Sequence, residues 1–150
     1  FYDFYLPIDV YDNYLKDRMA WKMQSKNDLF DGELISDIRN RDLVLPEFQR
    51  EYVWSREQAK QLLVSLTQKY PVGGILLWKT QNPPELKNVS GHDSRLGSYQ
   101  VILDGQQRLT TLYMLLTGDI PPYYTEEDIQ IDTRNLFFNL VDGTLTCGCI

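Results

Sequence analysis

Gln49, Arg50 and the run Asp104-Gly105-Gln106-Gln107-Arg108-Leu109-Thr110-Thr111 carry the residue types in this chain best suited to chemistry. The run follows a continuous apolar stretch, Val101-Ile102-Leu103, and leads into apolar residues at Leu109, Leu112, Tyr113 and Leu116. That spacing reads as strand, tight turn and helix. Gly105 lets the backbone turn sharply with no Cβ in the way, and the amides after it belong to a first helical turn, whose N–H groups have no internal partner. Such a turn is a ready anion site. Arg108 adds a guanidinium fork suited to phosphate oxygens, and Thr110 and Thr111 supply hydroxyls. Asp104 is a candidate ligand for a divalent cation bridging phosphates, and Gln106 or Gln107 a candidate to orient a water. A purely structural alternative fits the same letters. Asp104-x-x-Gln107 also matches a capping box, in which the two side chains satisfy the free amides of the helix and bind nothing. On local pattern the two readings stand even.

Gln49 and Arg50 sit at an element boundary, where sites are usually built. For Arg50 the competing role is an ion pair with Glu47, Glu51 or Glu57. Phe48, Tyr52 and Trp54 can stack on a base, although aromatics flanking a strand more often belong to the core. His92 is the sole histidine and lies in a polar stretch. A His-dependent triad, metal cluster or HNH-type nuclease site is therefore poorly supported. Cys147 and Cys149 are too few for a zinc site and poorly spaced to bridge each other, so they read as free thiols in a reducing compartment.

These residues must be positioned by a chain of 150 residues, 43% hydrophobic, which is enough for one sizeable core and one domain. No apolar run approaches the roughly 18 to 20 residues of a membrane span, and no export signal opens the chain. The expectation is a cytoplasmic protein with no membrane partner. The net charge of −6 excludes whole-surface attraction to DNA. A local exception is Arg39 to Lys69, with six basic and four acidic side chains plus aromatics. The chain opens on Phe and stops just after a strand-like segment, which reads as a fragment of a longer protein.

The elements follow from pattern. A helix is expected around Val10 to Met23, and another over Asp31 to Asn40 from Leu34, Ile35 and Ile38. Leu43-Val44-Leu45 reads as a strand halted by Pro46. Ser55 with Gln58 forms a capping-box pattern ahead of the stripe Ala59, Leu62, Leu63 and Leu66, so a helix runs to about Lys69. Tyr70-Pro71-Val72-Gly73-Gly74 breaks it, and Ile75-Leu76-Leu77-Trp78 reads as a buried strand. Thr80 to Ser98 reads as a loop long enough to be a mobile flap or substrate-covering element. A Pro121-Pro122 break, an acidic Glu126-Glu127-Asp128 stretch and a strand over Leu136 to Leu140 complete the chain.

The ordered set Leu45-Pro46-Glu47-Phe48-Gln49-Arg50-Glu51-Tyr52-Val53-Trp54, Leu62 to Leu66, Pro71-Val72-Gly73-Gly74-Ile75-Leu76-Leu77-Trp78 and Leu103 to Leu112 resembles the DGQQR family. This is the GmrS-like N-terminal domain of modification-dependent restriction systems such as GmrSD, with a ParB/sulfiredoxin-like fold. The resemblance covers about residues 28 to 141. It implies a compact α+β domain, with a small mixed sheet packed by helices, over residues 27–150, and leaves residues 1–26 as an unplaced aromatic-rich extension. It further implies an NTP-binding and NTP-hydrolysing regulatory domain of an anti-phage defence protein, using Mg2+ with a nucleoside triphosphate. That domain would gate a C-terminal nuclease domain or partner, meet DNA through the full-length protein, and be compatible with a homodimer. Gly105, Arg108 and Thr111 fall on a ParB-like pattern of Gly, two residues, Arg, two residues, small residue. Gln49 and Arg50 fall on the first polar box, and Gln106, Thr110 and Thr111 join them as nucleotide-binding residues. Where ParB-type chains carry an acidic residue after the glycine this chain has Gln106, so the metal role is assigned to Asp104 and catalysis to Asp104 and Gln107. The alternatives are a ParB-like nucleotide-gated DNA-binding module without turnover and a DNA-reading or DNA-cleaving domain.

Overall fold

Strand β4 (Tyr99–Asp104) occupies the middle of a three-stranded mixed sheet and delivers its last residue to the edge of the core. On one side β2 (Leu43–Val44) runs parallel to it, with Leu43 opposite Gln100. On the other, β3 (Leu76–Thr80) runs antiparallel, and its register shifts between Leu76 and Leu77 so that Leu76 faces Asp104. The coordinates are a computed structural model of the chain and describe residues 5–7, 32–68, 70–88, 97–134, 136–139 and 144–147. The expected helix at Val10 to Met23, His92 and Cys149 lie outside them. The architecture is α+β, as the family resemblance implies.

Among the described residues three α-helices pack on this frame: α1 (Gly32–Arg39), α2 (Arg56–Thr67) and α3 (Gln106–Thr117). Helix α3 is central because it is buried nearly all round, with nine of its 12 residues inside. Leu109, Tyr113 and Met114 enter a cluster with Ile38, Leu43, Leu45, Tyr52 and Ile102. Leu112 and Leu115 enter a second with Ala59, Leu62 and Leu63 of α2 and Leu136. Truncating one such side chain to Ala costs about 2–5 kcal/mol, so α3 is fixed from two directions. Its far end stops at Gly118, whose φ of +72° suits glycine and whose N–H donates to Met114 O.

A second sheet is antiparallel, in the order β1 (Tyr5–Pro7), β5 (Leu136–Asn139), β6 (Leu145–Cys147). Residues 5–7 of the N-terminal extension thus pair with residues 137–139.

Two sequence expectations change. Strand β3 is not buried: it is an edge strand, with Leu76 57% and Trp78 44% exposed. The stretch after it is not wholly free either, since Glu47 N donates to Glu85 O and Lys87 N donates to Leu45 O, both at 2.8 Å. Those bonds tie residues 85–87 alongside Leu45-Pro46-Glu47, whereas residues 89–96 lie outside the described part.

Candidate functional site

Gly105 makes the turn from β4 into α3 at φ +88° and ψ 10°. A side chain there is opposed twice. L-residues pay about 1–2 kcal/mol for the left-handed region, and a Cβ would stand 2.9 Å from Ile75 Cγ1 and 3.3 Å from Gly74 O. Asp104 does not cap the helix. Its Oδ1 accepts from Gly105 N at 2.8 Å, and α3 begins with no side-chain cap. The capping-box alternative for Asp104 and Gln107 is therefore not what forms, and the first-turn amides are left to another acceptor.

That helix start opens onto a cleft of about 240 Å³ lined by Gln49, Arg50, Trp54, Leu103 and residues 104–108. Arg50 is exposed, and the described ion pairs join Arg134 to Asp132 and Glu126, leaving Arg50 with none of the glutamates expected for it. Two guanidinium groups against the single carboxylate of Asp104 give the cleft a positive balance within a chain of net charge −6. Among the described residues no three His, Cys, Asp or Glu side chains gather into a metal-holding group. Asp104 alone is a donor set suited to Mg2+, which commonly takes one or two carboxylates and completes its shell with water and phosphate oxygens.

The two glutamines of the turn work differently from each other. The Gln107 carboxamide accepts from Val53 N at 3.0 Å and donates to Glu51 O at 2.9 Å. Both of its ends are thereby tied to the segment Glu51 to Val53, one lone pair and one N–H of the carboxamide being used. Gln106 Nε2 donates to Arg50 O at 3.3 Å, which Tyr124 Oη also meets at 2.8 Å. Gln106 Oε1 is buried without a partner, an acceptor left open beside the cleft. Gln49 Nε2 donates to Leu103 O at 2.9 Å and so ties the same segment to the end of β4.

Thr110 and Thr111 do not join the cleft. Both are fully buried, with Thr110 Oγ1 3.0 Å from Tyr123 Oη and Thr111 Oγ1 donating to Gln107 O at 2.7 Å. Thr111 Oγ1 also meets Tyr52 Oη at 2.7 Å; its one proton being already given, Tyr52 is the donor there and accepts from Thr133 at 3.1 Å. Burial pushes the Tyr52 and Tyr123 hydroxyls up from their ordinary pKa, and burial followed by Asp128 does the same to Tyr124. These phenols are neutral structural groups.

The structure thus brings together Gln49, Arg50, Asp104, Gly105, Gln106, Gln107 and Arg108. Of the three aromatics weighed from sequence, Tyr52 is core, Phe48 stands 71% exposed, and only Trp54 lines the cleft. Sequence reading did not place Gly74 at the site, although its carbonyl accepts from Arg108 Nη2 at 2.6 Å. The two glycines ahead of β3 were the available signal.

The family model for the N-terminal domain of GmrSD restriction endonuclease matches residues 32–145. The chain belongs to the GmrSD N-terminal domain family. The match takes in α1 to β5 and every cleft residue. A relative, an uncharacterized protein of Methanocaldococcus jannaschii, is 32% identical over 129 residues, which cover 75% of this chain and 22% of the relative. The chain therefore spans about a fifth of that protein's length. No solved structure matches this GmrSD-family chain. Among its described residues no helix is long and apolar enough to cross a membrane.

Proposed function

We propose that this GmrSD-family domain binds the phosphates of a nucleoside triphosphate with Mg2+ in the cleft at the start of α3, and that nucleotide occupancy regulates a nuclease lying outside these 150 residues. The observation that carries this is the uncapped α3 terminus facing a cleft flanked by Arg50 and Arg108. The Gly105 turn lets backbone amides approach an anion closely, the two guanidinium groups neutralise phosphate charge, and Asp104 holds the cation that the phosphates share. Gln106 Oε1 offers an acceptor to a donor on the ligand. The turn is read as the DGQQR motif and the fold as ParB/sulfiredoxin-like. Thr110, Thr111 and Gln107 enter this proposal as supports of the turn, not as ligands.

The test is calorimetric titration of the four ribonucleoside triphosphates, with Mg2+, into the 150-residue chain and into Arg108→Ala. Saturable binding, weakened in the variant by about 2–3 kcal/mol as expected for charge-assisted bonds, supports the proposal. Equal affinity in folded Arg108→Ala overturns it.

Hydrolysis is a separate matter. Commitment of both ends of Gln107 to the Arg50–Val53 segment favours a second reading, nucleotide binding without turnover. Steady Mg2+-dependent phosphate release, lost in Asp104→Ala, excludes that second reading and establishes an NTPase.

A further inference from the structure

Arg108 is held from a second turn, the one between α2 and β3. Its Nη2 donates to Gly74 O, and a Cβ on Gly73 would stand 2.9 Å from Nη1, 3.3 Å from Cζ and 3.5 Å from Nη2. A Cβ on Gly105 would likewise stand 3.2 Å from Nη2. The guanidinium therefore occupies a slot whose walls, Gly73 and Gly105, carry no side chains and both have positive φ, +85° and +88°. Arg108 Nε is buried and makes no hydrogen bond. The orientation of the fork is thus set at its tip, by the carbonyl of Gly74 and the bare backbone of Gly73. A guanidinium recognises phosphate through the plane of its donors, so fixing that plane matters more than supplying the charge.

We infer that Gly73 is a positioning residue for the phosphate cleft: its missing side chain admits the Arg108 guanidinium to the slot, where Gly74 O sets its plane toward the anion. The inference rests on the reading of the cleft as a triphosphate site. It brings the stretch Pro71-Val72-Gly73-Gly74, which otherwise only ends a helix, into ligand recognition. A side chain at Gly73 meets the movable end of another side chain rather than backbone, so it displaces the fork while the fold persists.

The experiment is titration of nucleoside triphosphate with Mg2+ into the 150-residue chain carrying Gly73→Asn, asparagine being a residue that tolerates positive φ. Gly118→Asn is the control for backbone strain, because Gly118 has φ +72° and open space where a Cβ would stand. The expected result is an affinity loss of about tenfold in Gly73→Asn and none in Gly118→Asn, with similar melting temperatures. In Arg108→Lys, whose ammonium is a point charge with no plane to fix, adding Gly73→Asn changes affinity by less than about twofold. Parental affinity in folded Gly73→Asn, or an equal loss in the lysine background, overturns the inference. A readout that needs no variant is the set of Arg108 Nη proton resonances in the parent chain. Resolved resonances, as a restrained guanidinium gives, agree with the slot, and fully averaged ones overturn it. Retention of binding by Arg108→Ala would remove the cleft reading itself, whereas loss in Arg108→Ala with none in Gly73→Asn removes only this inference.

Discussion

Helices α2 and α3 start with similar letters and opposite chemistry. Ahead of α2, Ser55 Oγ accepts from Gln58 N at 3.2 Å while Gln58 Oε1 accepts from Ser55 N at 2.9 Å, so the orphan amides are met locally. Ahead of α3, Asp104 and Gln107 have the same three-residue separation, yet Asp104 turns to Gly105 N and Gln107 reaches more than 50 residues back to Glu51 and Val53. The difference lies in burial. Ser55 and Gln58 stand near water, where a short reciprocal pair is the best available arrangement. Gln107 is 6% exposed, and while Tyr52 N and O pair with Asp128 O and Gln130 N, Val53 N and Glu51 O are met by the Gln107 carboxamide. One helix start is closed by its own side chains, and the other is left open.

The strongest way to break this contrast is Gly105→Ala. Strain at φ +88° together with the approach to Ile75 and Gly74 lowers stability by about 2–4 kcal/mol, read from urea midpoints, and abolishes triphosphate binding. Next is Gln107→Leu, which keeps volume but leaves Val53 N–H and Glu51 C=O unpaired, at a cost of about 2–3 kcal/mol. A loss under half of that would mean water replaces the carboxamide. Ser55→Ala is smaller, about 1 kcal/mol, and leaves triphosphate affinity unchanged because α2 does not face the cleft. A change in affinity there would show the two helix starts to be coupled.

The smallest effect at neutral pH is an alkaline one. Tyr52 and Tyr123 back the polar face of α3, and their folded pKa values are raised by burial. The folded state therefore holds their protons more tightly than the unfolded state does. The associated stability is fully present below the unfolded tyrosine value of about 10 and is lost as pH rises above it. Thermal melts should be level from neutral pH to that point and then fall, and Tyr52→Phe should flatten part of the fall.

Sequence reading succeeded where the cause was local. The α2 cap, the α1 stripe and the strand–turn–helix around Gly105 are each decided within a few residues, and all three form. It faltered where the cause was distant. Asp104-x-x-Gln107 could not be resolved without the Arg50–Val53 segment that claims Gln107. The hydroxyls of Thr110 and Thr111 resemble phosphate ligands in a row of letters, yet helical rotation turns them to Tyr123 and Tyr52 in the core. Ile75 to Trp78 reads as buried because it is apolar, but position at the sheet edge, which no local pattern reports, exposes Leu76 and Trp78. Pairing of residues 5–7 with 137–139 and the last strand, 145–147, were likewise invisible, since three-residue strands are too short to show an alternation.

The carboxamide of Gln107 also has a consequence for how this chain can change. Donating to Glu51 O and accepting from Val53 N, two residues apart, it meets the segment as a neighbouring strand's peptide group would, a single borrowed peptide unit hung from a helix. Glu at this position can accept but not donate, Asn is one methylene shorter, and apolar residues do neither. Position 107 is therefore restricted to one residue by the backbone it completes, whatever the cleft holds. If the proposed phosphate site were lost in a descendant, Arg108 would be free to drift while Gln107 stayed.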